Sequence, residues 1–157
     1  MGQTIKVEHI TPFIDATIKT FALMVYSEAK PGKVGLIASA GARFDVSGII
    51  GLSGKAQGTV ALSFPRITAL KVCSAFVGAR VLALDDIATD AIGELANIIA
   101  GAAKGELSRY QIQISLPTVI LGDDHELAGP KHIVPMVVPF QCAQGNFNLV
   151  VRFKSES

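Results

Sequence analysis

The sequence predicts a mixed fold of long helices and strands, on two observations. Helical spacing of apolar residues runs from Thr11 to Tyr26 and again, at greater length, from Leu84 to about Tyr110. Val60, Leu62 and Phe64 alternate with small or polar residues, as do Phe147, Leu149 and Val151, the period of a strand with one buried face.

Thr11-Pro12 opens the first helix as an N-cap followed by Pro at the first helical position, and Phe13, Ile14, Ile18, Phe21 and Val25 continue it. Lys30-Pro31-Gly32-Lys33 breaks the pattern. Val34 to Ala38 and Phe44 to Leu52 are β-like, and Ser53 to Gly58 forms the turn of a hairpin leading into Val60, Leu62 and Phe64. Pro65 restarts a helix that ends at Gly78. Leu84-Asp85-Asp86 starts the longer helix, with acidic residues in the first turn where the dipole favours them. Strands are then expected over Ile114 to Leu121, Ile133 to Phe140 and Phe147 to Phe153, with Gly122 to Lys131 as a polar loop. Pro135 and Pro139 mark an edge or irregular strand. Ala56-Gln57-Gly58 and Ala143-Gln144-Gly145 each precede an alternating run, a weak internal echo that three shared residues do not establish.

A chain of 157 residues with half of them hydrophobic encloses a core without staples, so 1–157 is read as one domain. Only 17% of residues are charged and mean hydropathy is +0.46, an apolar excess that a homodimer interface would absorb. The net charge of +1 comes from scattered Lys and Arg, which argues against a nucleic-acid partner. Met1 to Ile10 is polar and no long uncharged apolar run follows, so the expectation is a cytoplasmic protein with no membrane partner. Cys73 and Cys142 belong to no CxxC or Cys/His spacing and read as reduced, packed thiols. His9, His125 and His132 lack ligand spacing and read as surface residues, so no metal is expected. Gly48, Gly51, Gly54 and Gly58 make no phosphate-binding motif and serve turns and strand packing, and Gly51 to Lys55 fails the GxSxG nucleophile pattern.

The chemistry lies in the segment Asp90 to Gly101. Leu84, Ala88, Ala91, Leu95, Ile99 and Ala102 share one helical face, and Asp90, Glu94, Asn97, Gly101, Lys104 and Ser108 share the other. Glu94 and Asn97, three residues apart, are about 5–6 Å apart at Cβ and are expected to face solvent. A solvated helix face explains Asp90 and Lys104 well. It explains Asn97 less well, because Asn is a mediocre mid-helix residue and Gly93 and Gly101 each cost about 1 kcal/mol relative to Ala. Small residues at Gly93, Ala96, Ala100 and Gly101 would leave the carboxylate and amide standing above a low surface open to another protein's loop. The glycines have an alternative use in packing against a neighbouring element, or in ending the helix at Gly101.

The run Ala91-Ile92-Gly93-Glu94-Leu95-Ala96-Asn97-Ile98-Ile99-Ala100-Gly101 resembles the E-x-x-N signature of the CheC/CheX/FliY phosphatases. The Gly48 to Phe64 hairpin, Thr68 to Val72 and Pro117-Thr118-Val119 resemble the CheX branch, as does the length, and a single signature favours CheX over CheC. The resemblance implies an α+β fold with a mostly antiparallel sheet and long surface helices, the active one among them, a homodimer with two independent sites, and a phosphorylated CheY-like response regulator as partner. By it, Glu94 pairs with the regulator's active-site lysine and Asn97 enters the regulator's site to orient the attacking water. Asp90, Gly93, Gly101 and Lys104 would belong to the partner-binding surface. No cofactor of its own is expected, and Mg2+ would be held by the response regulator. Two other readings stay open: a non-catalytic CheC-like module that only binds the regulator, and a structural component of the flagellar switch.

Overall fold

Residues 7–36, 44–125 and 133–155 are described in the computed structural model. Helix α1 spans Val7–Thr20 and continues through one π-helical stretch, Phe21–Val25, to Tyr26 in the left-handed region (φ 58°). Short strands β1 (Lys30–Pro31) and β2 (Gly35–Leu36) precede the hairpin of β3 (Phe44–Ser53) and β4 (Ala56–Phe64). Helix α2 covers Arg66–Val77 and helix α3 Asp86–Glu106, followed by a 3-10 turn at Ser108–Tyr110. Strands β5 (Gln113–Ile114), β6 (Thr118–His125), β7 (Met136–Cys142) and β8 (Gly145–Ser155) complete one sheet. All recorded pairings are antiparallel, in the order β1-β7-β8-β4-β3-β5, with β2 also on β7 and β6 also on β3. The α+β class holds.

Several elements depart from the sequence reading. Helix α1 begins one turn before Thr11, whose hydroxyl donates to the Val7 carbonyl (3.0 Å), so Pro12 lies inside the helix. The extra turn buries His9 and Ile10. His9 is therefore a core residue and not a surface one: its ring lies 4.6 Å from that of Phe153, and Nε2 is 2.9 Å from the Tyr110 hydroxyl. The side chain of His125 and the whole of His132 lie outside the described residues, as do Ala38 and most of the loop expected to end at Lys131. That loop starts later than expected, since β6 continues through Gly122 to His125.

The strand expected over Ile114 to Leu121 is broken at Leu116-Pro117, where the prolyl ring supplies no N–H to a ladder. Its two pieces pair with the same partner, β3. Strand β7 starts at Met136 instead of Ile133 and contains Pro139. It is close to an edge strand, with full-length β8 on one side and only the two-residue β1 and β2 on the other. Of the echoed segments, Ala56-Gln57-Gly58 starts β4, whereas Ala143-Gln144 form the turn before β8, which starts at Gly145; β4 and β8 lie side by side at the centre of the sheet.

All three helices pack against this sheet. Alternation in β8 sends Phe147, Leu149, Val151 and Phe153 into the main core, where they meet Phe13 and Phe21 of α1 and Ile92, Leu95 and Ile99 of α3. Phe147 stacks between Phe21 and Phe140, with centroids at 4.5 and 5.1 Å. Each such side chain contributes about 1.5–3 kcal/mol when fully buried. The reverse face carries a smaller cluster of Ala61, Val137 and Val150. Cys73 and Cys142 are both free.

Candidate active site

Helix α3 is fixed at its start, along its inner face and at its end. Asp85 caps it, its Oδ1 accepting from the Ala88 N–H at 3.0 Å, and Asp86 in the first turn and Lys104 in the last suit the dipole. Gly48 of β3 lets the helix sit down on the sheet: a Cβ there would lie 2.9 Å from Ile92 Cγ2 and 3.1 Å from the Ile92 carbonyl oxygen. Cys73 of α2 directs its thiol at the Ala88 carbonyl (3.5 Å). Burial, aided by the charge of Asp85, pushes that thiol up to about 11, so it remains protonated and inert near neutrality.

The inner face follows the predicted stripe through Ala88, Ala91, Leu95 and Ile99, but then takes Ala103 and leaves Ala102 exposed. The buried face is centred further round the helix than the predicted stripe, towards Ile92, Ala96 and Ala100, which brings Ala103 inside and turns Ala102 out. Glu94 is exposed on the outer face and Asn97 is half-buried beside it, less open than the sequence suggests. Among the described residues, neither side chain is engaged in a hydrogen bond or ion pair.

A groove of about 560 Å³ runs along this helix beside β6, lined on the helix side by Asp86, Thr89, Asp90, Gly93 and Glu94 and on the strand side by Pro117, Val119 and Leu121. Asp90 and Glu94 therefore share one surface, as the helical spacing indicates. Gly93 has a different part from the one expected of it. It is buried, and a Cβ in its place would stand 3.3 Å from Pro117 Cγ and 3.5 Å from Val119 Cγ2, so its smallness serves the contact between α3 and β6. Ala96 and Ala100 are buried as well, which leaves Gly101 as the low point of the outer face. A Cβ at Gly101 would meet nothing within 4 Å, and the helix continues past it to Glu106.

Lys104 is exposed in the last turn. It is ten residues beyond Glu94, about 15 Å along the axis at 1.5 Å per residue, and stands apart from the groove. The strand-side lining was not identified as part of a site from sequence. Its one legible signal is Pro117, which marks a strand break where a neighbouring helix can approach. Among the described residues, no group of three or more His, Cys, Asp and Glu side chains is arranged to hold a metal ion.

The fold places this groove between the outside of a helix and the neighbouring strand of an antiparallel sheet. The architecture of the chain is similar to that of a CheC-like superfamily protein from Shewanella sp. PV-4, with a TM-score of 0.87 and 30% identity, covering 96% of this chain and 100% of that one. More narrowly, the chain belongs to the chemotaxis phosphatase CheX family, whose model matches residues 46–141, from β3 into β7 and across the whole of α3. It is 34% identical over 118 residues to the CheY-P phosphatase CheX of Thermotoga maritima, covering 73% of this chain and 76% of that protein. It also resembles CheX of Borrelia burgdorferi, solved in a complex with CheY, BeF3 and Mg2+. There the TM-score is 0.81 and the identity 26%, covering 96% of this chain and 100% of that one.

Proposed function

We propose that this protein hydrolyses the aspartyl phosphate of a CheY-like response regulator, with Glu94 as the docking carboxylate and Asn97 as the water-orienting amide. The observation that carries this is the unengaged carboxylate and amide, one turn apart on the outer face of α3, within the residues that the family model matches. The relatives act on, or are bound to, CheY by name.

Such a reaction asks little of the phosphatase beyond alignment. Water attacks phosphorus, the bond to the regulator's aspartyl oxygen breaks, and free carboxylate and inorganic phosphate result. The leaving carboxylate needs no proton from a strong acid, so no group of shifted pKa is required on α3. A neutral amide accepts a hydrogen bond from the attacking water and donates one elsewhere, which suits Asn97 to positioning. Glu94, exposed on the outer face, offers a charge-assisted contact to the regulator's lysine. The Mg2+ that stabilises the phosphoryl oxygens is assigned to the regulator, in keeping with the metal in the Borrelia complex.

The test is single-turnover hydrolysis of phosphorylated CheY at saturating protein. Asn97→Ala should lower this rate about a hundredfold, equivalent to about 2.7 kcal/mol of lost alignment, while affinity for the beryllofluoride form of CheY stays close to wild type. Full turnover by Asn97→Ala would move a binding-only module ahead.

The proposal also makes the protein a cytoplasmic homodimer. Leu23 and Tyr26, at the end of the first helical segment, are 70% and 79% exposed, the kind of apolar surface that a second copy covers. Sedimentation at micromolar concentration should give twice the 16.5 kDa chain mass, and a single monomeric species would refute it. No helix among the described residues is long and apolar enough to cross a membrane.

A further inference from the structure

Beside the groove, the chain between β5 and β6 makes a corner that is rigid, apolar and outward-facing. Ser115 clamps it to β3 from both sides: its N–H donates to the Gly51 carbonyl (2.9 Å), and its hydroxyl accepts from the Gly51 N–H (2.8 Å). The same hydroxyl donates to the Leu116 carbonyl (2.8 Å). Pro117 follows, its ring set against Gly93 of α3. Between the clamp and the ring, Leu116 is 87% exposed, next in sequence to Pro117, which lines the groove with Leu121, itself 48% exposed.

A leucine on a loose loop would lose entropy on docking, whereas here the backbone is already fixed, so the cost is confined to side-chain rotamers. The groove has one charge sign on its other wall, from Asp86, Asp90 and Glu94, with no Lys or Arg among its lining residues. Its complement is a surface with an apolar recess next to cationic side chains.

We propose that Leu116 is a docking and specificity residue for the phosphatase reaction, seating in an apolar recess of the phosphorylated receiver beside its phosphorylation site while Asp90 and Glu94 meet basic groups of the same partner. This rests on the phosphatase reading above and adds the residue that recognises the partner without touching the phosphoryl group. The receiver is chosen over a second copy of the chain because Pro117, next to Leu116 in the corner, lines the groove together with Glu94, which must face the receiver for chemistry to occur. Contact with the partner at Leu116 is made equally before and during hydrolysis, so it acts on KM and not on kcat.

The experiment follows dephosphorylation of CheY, charged with acetyl phosphate, over a range of CheY concentrations, using wild type, Leu116→Asn and Leu116→Met. Far-UV circular dichroism and sedimentation accompany each protein. Wild-type activity with Leu116→Asn raising KM about tenfold at unchanged kcat, and Leu116→Met restoring KM, is the expected result. Wild-type activity with KM unchanged in Leu116→Asn overturns the docking role and leaves the phosphatase reading standing. A Leu116→Asn protein that becomes monomeric while its kinetics stay normal shows that a second copy covers the corner, which also overturns it. Absence of both activity and CheY binding in the wild type removes the phosphatase reading and this proposal together.

Discussion

Helices α1 and α3 lie together on the same face of the sheet and feed the same core, yet their outer surfaces are built on different terms. In α1 the polar groups are largely used within the protein. Thr17 donates to the Phe13 carbonyl (2.8 Å), His9 meets the Tyr110 hydroxyl, and Glu8 stands 3.6 Å from an Arg109 nitrogen. The range contains no glycine. Helix α3 carries three, Gly93, Gly101 and Gly105, and keeps a carboxylate and an amide unengaged. Burial of the inner face fixes both helices in place. On the outer face of α3, Gly101 weakens the helix with no packing contact to offset it, as expected of a surface that the proposed partner would cover.

The strongest way to break this contrast is to remove a charge from each helix. Glu94→Ala should weaken affinity for the beryllofluoride form of CheY roughly tenfold to a hundredfold, the worth of a charge-assisted hydrogen bond, and flatten its salt dependence. Asp15→Ala, equally exposed but on α1, should change neither. Titration by fluorescence anisotropy at two ionic strengths reads both, and equal losses at the two positions would erase the distinction.

A smaller effect sharpens it. At Gly101 there is open space for a methyl group and a helical backbone to stiffen, so Gly101→Ala should raise unfolding stability by up to about 1 kcal/mol in a urea titration. If the low surface exists to admit the regulator, the same variant should bind CheY more weakly. A variant that is more stable and binds equally well would make this glycine incidental.

The start and stop of α2 and the start of α3 were legible because they depend on neighbours in sequence: Pro65 before Arg66, Gly78 at a φ of 78°, and Asp85 on the Ala88 N–H; the stop of α3 was not, since the helix ends at Glu106 and not near Tyr110. The β3–β4 turn was legible for the same reason, with Gly54 at a φ of 113°. Glu94 and Asn97 could be placed side by side because a helix has one period. What escaped depends on residues distant in the chain. The extra turn of α1 is stabilised by His9 meeting Tyr110, across a separation of 101 residues. The buried role of Gly93 requires knowing that Pro117 arrives above it, and Leu116 reads as an ordinary strand residue until Ser115 is seen tied to Gly51. Local chemistry announces a helix and its stripe, whereas the wall that turns the stripe into a groove comes from topology.

The side-by-side pairing of β4 and β8 has a kinetic consequence. Ala56 faces Ser155 and Ser63 faces Asn148, so the centre of the sheet joins segments made early and late in synthesis, with α2 and α3 in the span between them. Closing that span costs chain entropy before any contact across it is rewarded, which makes it a late event in folding. On the ribosome, α1 and α2 emerge before the strand that supplies Phe147, Leu149 and Val151 beneath them, and until β8 docks their apolar faces have only part of their bed. A half-made chain therefore exposes these helices by the wrong side, and the interval before β8 arrives is when the protein is most open to aggregation.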